Sequence, residues 1–206
     1  MKQHIITFPN PAELAAPTDL FVQYTRMDLT KKRQQKMLEQ AVAMYPDVCN
    51  MVKLQAIITE ADSFSLDGEA LTMDGVTFHS TAFADLKPEQ LHKAYGYFLT
   101  IGKCMPRDDA GLVEILIVDT WGSILVDICR EMLTQKLQEL NPGLALSPSF
   151  GLGFYGVSRE QAQQLKEFVD PAPIGMEVMD NALVLPQKSC AGIFLTADTD
   201  EGFPKD

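Results

Sequence analysis

The segment of the chain that most invites a chemical reading is Ser147-Pro148-Ser149-Phe150-Gly151-Leu152-Gly153-Phe154-Tyr155-Gly156. Small residues let a ligand approach backbone amides, and aromatic faces can stack on a planar heterocycle. That is binding chemistry, and composition alone admits a second reading, a plain connection with its rings in the core. Other reactive side chains are scattered. Cys49, Cys104, Cys129 and Cys190 form no C-x-x-C pair and read as reduced core thiols. His4, His79 and His92 are isolated, with no zinc-type spacing. No acid/base dyad, nucleophilic triad or metal site stands out, so no residue is assigned a catalytic role.

Two helices must hold this loop. Before it, apolar periodicity runs from about Asp109 to Leu140, with Gly122 as a candidate break and Asn141-Pro142-Gly143 as the stop. A helix that long would span roughly 48 Å and form the spine of the fold. After it, Ser158-Arg159-Glu160-Gln161 has capping-box spacing and opens a helix that runs to about Val169. Further upstream, His4–Phe8 reads as a strand, and Thr30 is placed to cap a helix over Lys31–Met44 that ends at Tyr45-Pro46. Residues 52–80 read as a β-meander punctuated by Asp67-Gly68 and Asp74-Gly75. A helix is expected over Pro88–Tyr95, followed by the apolar stretch Tyr97–Gly102. Short strands are expected at Ile174–Met179, Ala182–Leu185 and Cys190–Thr196, then a frayed acidic tail over Asp198–Asp206. The fold class is α+β: one domain over 1–206, a mainly antiparallel twisted sheet with a long central helix and flanking helices.

Composition narrows the partners. The 206 residues are 46% hydrophobic and 22% charged, with a formal net charge of −11. That balance argues against nucleic acid and anionic membranes, which require basic patches. The run Lys31-Lys32-Arg33 with Lys36 reads as a solvated helix face. Met1-Lys2-Gln3-His4 does not open a signal peptide. The most apolar stretch, Ala110–Leu133, carries Glu114, Asp119, Asp127, Arg130 and Glu131, too many charges for a membrane span. A soluble, cytoplasmic protein is the expectation.

Five short motifs keep an order that resembles the activation (reactivation) domain of vitamin B12-dependent methionine synthase, and more closely its short stand-alone relatives. Thr100-Ile101-Gly102 is similar to their T-I-G, and Asp119-Thr120-Trp121-Gly122-Ser123 to D-x-x-G-S within the long helix. Ser147-Pro148-Ser149-Phe150-Gly151 resembles S-P-G-Y-G, and Ile174-Gly175-Met176 resembles I-G-V. Pro186-Gln187-Lys188-Ser189-Cys190-Ala191-Gly192 resembles P-x-K-S-x-S-G. The matches lie within residues 96–197; residues 1–95 are poorly matched.

The resemblance implies binding of S-adenosylmethionine and reductive methylation of cob(II)alamin. The cobalamin would be held on a partner, a corrinoid protein or corrinoid methyltransferase, since the chain lacks the D-x-H-x-x-G of a cobalamin-binding domain. It places the ligand loop at Ala145, Ser147, Pro148, Ser149, Phe150, Gly151 and Tyr155, with Asp127 and Lys188 as further candidates. Three positions depart from the motif. Ala145 stands where the family has a carboxylate-binding arginine, Ser149 where it has glycine, and Phe150 where it has tyrosine. Alanine cannot replace a bidentate guanidinium. A second reading therefore stands beside the first, a non-catalytic corrinoid-protein interaction module that has lost the ligand. A third is shared fold without shared function.

Overall fold

A computed structural model describes residues 3–13 and 15–205. The first half of the chain forms β1 (Gln3–Thr7), α1 (Thr18–Thr25), α2 (Lys32–Met51), β2 (Gln55–Glu60), β3 (Phe64–Asp67), β4 (Ala70–Met73), β5 (Val76–His79) and β6 (Leu91–Thr100). The second half forms α3 (Leu112–Leu140), β7 (Ala145–Leu146), β8 (Phe150–Gly151), α4 (Ala162–Phe168), β9 (Glu177–Val178), β10 (Val184–Leu185) and β11 (Ser189–Ala197). The main sheet runs β1-β2-β6-β11-β7, with β8 also on β11, and every pairing in it is antiparallel. The architecture is the expected α+β fold with a long central helix.

The sheet separates two apolar layers. Tyr95, Tyr97 and Leu99 of β6 point into one layer with α1, α2 and α3, centred on Trp121. Trp121 packs at 4.5 Å from Phe21 and 4.8 Å from Tyr45, and its indole N–H donates to the Ala41 carbonyl at 2.9 Å. Ala94 and Phe98 point the other way, toward the β3–β5 meander and α4. Gly96 also faces α4, where a Cβ would come within 2.6 Å of the Phe168 ring.

Several expectations need correction. The helix expected over Pro88–Tyr95 is only a single 3-10 turn at Pro88–Gln90, after which the chain enters β6. A strand buried on both faces shows no polar alternation, so its apolar run resembles a helix segment. The helix expected to stop at Tyr45-Pro46 continues through Pro46 to Met51. Burial of Tyr45, Val48 and Cys49 along one stripe outweighs the local cost of proline. Thr30 caps nothing; its hydroxyl and amide both donate to the Asp28 carboxylate, at 2.6 and 3.1 Å. The helix α1 was not expected, and α3 passes Gly122 without a break. Ile174 ends a 3-10 turn and does not start a strand. The acidic tail docks: Phe203 is only 7% exposed, and Lys87 pairs with Glu201 at 2.9 Å. Asp206, like Met1 and Lys2, lies outside the described residues. Among the described residues, no helix is long and apolar enough to cross a membrane.

Candidate functional site

A cleft of about 970 Å³ opens between the middle of α3, the start of β11 and the 148–155 loop. That is within the usual range for a site that encloses a small molecule. Its floor is Tyr97 of β6, whose hydroxyl lies 2.6 Å from Ser149 Oγ. Burial holds the Tyr97 hydroxyl well above its ordinary pKa, so it stays protonated. Cys190 lies beside it, and burial pushes its thiol up to about 11 against the opposing pull of Arg130.

The helix supplies Asp127 and Glu131, one turn apart on the face toward the cleft, with Arg130 between them. Arg130 Nη2 sits 3.0 Å from Asp127 Oδ1. Burial raises the Asp127 carboxyl, and Arg130 works in the other direction.

The opposite wall is the loop, and its shape is fixed in detail. The Gly153 amide donates to the Val157 carbonyl at 2.7 Å, and the Val157 amide to the Phe154 carbonyl at 2.9 Å. Tyr155 adopts φ +51°, and its carbonyl accepts from Ser80 Oγ. Gly156, at φ +79°, presses on Thr81, where a Cβ would come within 2.6 Å of Oγ1. Gln161, just beyond the loop, grips the end of β5. Its side-chain amide accepts from His79 N at 2.6 Å and donates to His79 O at 2.8 Å. The two phenylalanines diverge. Phe150 is fully buried, edge-on to Phe83 at 5.0 Å and Tyr155 at 5.9 Å, whereas Phe154 is 61% exposed at the cleft.

Of the residues expected at a ligand site, Pro148, Ser149, Gly151, Tyr155 and Asp127 line this cleft. Ala145, Ser147, Phe150 and Lys188 do not. Ala145 lies in β7, paired with Ala197, three residues before the first cleft residue of the loop, Pro148. Ser147 is buried, and its hydroxyl accepts from Leu195 N at 2.9 Å and donates to Pro148 O at 2.8 Å. Lys188 reaches α3 instead, with Nζ 2.7 Å from Asp119 Oδ1 and 2.8 Å from Ser123 Oγ. It lies across Gly122, where a Cβ would meet Lys188 Cε at 3.2 Å and Cys104 Sγ at 3.1 Å. Beside it, Ser189 Oγ donates to Thr100 Oγ1 at 2.8 Å, and Thr100 Oγ1 accepts from Gly102 N at 2.9 Å. Three of the five motifs thus meet at one junction between helix and sheet.

Sequence reading missed Tyr97, Arg130, Glu131 and Arg159 as cleft residues. The spacing of Asp127, Arg130, Glu131 and Thr134 on one helical face was an available signal. Arg159 offered none, because its direction depends on the loop. It lies across Gly153, where a Cβ would come within 2.8 Å of its Nε.

No family model matches the chain, and no curated protein matches it by sequence. Among solved structures, the fold matches the crystal structure of the MetH reactivation domain bound to AdoHcy, with a TM-score of 0.69. The match covers 96% of this chain and 79% of that one, at 9% sequence identity. The chain therefore has the activation-domain fold that the motif order suggested.

Proposed function

We propose that the cleft binds S-adenosylmethionine and that the protein reactivates a separate corrinoid protein. The observation that carries this reading is the cleft itself, whose charges suit the ligand, in a fold that in the MetH reactivation domain holds AdoHcy. S-adenosylmethionine carries a carboxylate, an ammonium, a sulfonium and a planar adenine. The cleft offers charged side chains of both signs for the first three and the rings of Phe154 and Tyr155 for the base. In this reading an external reductant supplies one electron to the partner's cob(II)alamin. The reduced cobalt then takes the methyl group from the sulfonium, leaving S-adenosylhomocysteine. The chain contributes orientation and exclusion of water.

Calorimetry with S-adenosylmethionine and S-adenosylhomocysteine tests the ligand. Saturable binding below millimolar is expected, and no heat at millimolar concentrations would sink the reading. A second reading, a non-catalytic corrinoid-protein module, draws on Ala145 and on the burial of Phe150. It predicts capture of a corrinoid protein that S-adenosylmethionine does not influence.

A further inference from the structure

Among the described residues, the cleft contains one cation and one anion without an ion-pair partner. Arg130 is taken up by Asp127 at 3.0 Å. Arg159 and Glu131 line the same cleft, and no described residue of opposite charge pairs with either. The loop is shaped to hold Arg159 in place. Gly153 sits at φ +90°, a conformation that favours glycine, and the arginine stem occupies the space its missing Cβ leaves, with Cγ 3.2 Å and Cδ 3.6 Å from that point. The Ser158 cap, whose hydroxyl accepts from Glu160 N at 3.3 Å, fixes the backbone on the other side.

We propose that Arg159 is the carboxylate anchor of this site, with Glu131 opposite it for the ammonium, so that the cleft selects a nucleoside carrying an intact α-amino acid. This rests on the reading given under Proposed function and adds the residue that sets specificity. It relocates the anchor from the position of Ala145, on β7 before the loop, to the far end of the loop. A guanidinium matches a carboxylate with two parallel hydrogen bonds, and a lysine at the same place offers only a point charge.

The test compares two ligands that share the adenosine and differ in the amino-acid end, S-adenosylhomocysteine and 5′-methylthioadenosine. Calorimetry is run on the unsubstituted protein, Arg159→Ala and Arg159→Lys, with thermal melting to confirm that each is folded. Arg159→Ala is expected to weaken S-adenosylhomocysteine at least tenfold and to leave 5′-methylthioadenosine within twofold. Arg159→Lys should fall between. Equal loss of both ligands would make Arg159 a support of the loop and overturn the anchor, as would no loss of either. Rescue of Arg159→Ala by Ala145→Arg would also overturn it, by placing the anchor at the family position. If the unsubstituted protein binds neither nucleoside, the failure belongs to the S-adenosylmethionine reading and not to the choice of residue.

Discussion

Lys188 and Arg159 each lie across a glycine whose missing Cβ makes room for a long cationic stem, Gly122 in one case and Gly153 in the other. Lys188 delivers its charge to Asp119 and Ser123 and ties the start of β11 to α3. Arg159 has no such partner among the described residues and faces the cleft. The same packing device thus closes a junction in one region and leaves a charge available in the other. The motif resemblance picked out the closed one. Short motifs can mark the contacts that hold a fold together and say little about which residues face a cleft.

Three experiments test how separate the two regions are. The largest effect is expected from Trp121→Ala, which empties the centre of the helical layer beside Gly122 and removes the indole donor to the Ala41 carbonyl. Urea unfolding should show a loss of about 3–5 kcal/mol, while the folded fraction keeps its nucleoside affinity. A matching loss of affinity would mean that the junction and the cleft are one unit. Lys188→Met should cost only about 1 kcal/mol, because Asp119 is largely exposed and water takes over its hydration. Affinity should stay within twofold, and a larger drop would return Lys188 to the ligand site. The smallest effect concerns Cys190. Its folded pKa of about 11 lies above the ordinary 9.0, so the fold favours the neutral thiol. That preference is complete below pH 9 and disappears as pH rises through 11, with no consequence for stability at neutral pH. Alkylation by iodoacetamide, followed by peptide mass mapping, should be far slower at pH 8 than for an exposed cysteine and should accelerate toward pH 11. Protection by S-adenosylhomocysteine would sharpen the link between this thiol and the cleft.

Much of the fold was legible because its signals are local. Asp67-Gly68 and Asp74-Gly75 do turn the β3–β5 meander, and Asn141 does end α3. Asp74 shows why such a turn holds: its carboxylate accepts from the Asp62 and Ser63 amides at 3.0 and 2.7 Å. Errors arose where tertiary burial overrode local preference, at Pro46 inside α2 and at Leu91–Tyr95 in a strand covered on both faces. The candidate site was legible in outline and not in detail. A loop rich in small and ring-bearing residues does wall the cleft, but composition could not say that Phe150 turns inward while Phe154 turns out. Nor could it say that Ser149 reaches Tyr97, a contact between positions 52 residues apart.

The loop leans on the part of the chain that carries no motif. Ser80 holds the Tyr155 carbonyl, Thr81 abuts Gly156, and His79 is gripped by Gln161. A minimal fragment trimmed to the motif-bearing stretch from residue 96 would keep every recognisable word of the sequence and lose the wall behind the cleft loop. The half that looks dispensable on paper is the half that sets the loop's shape.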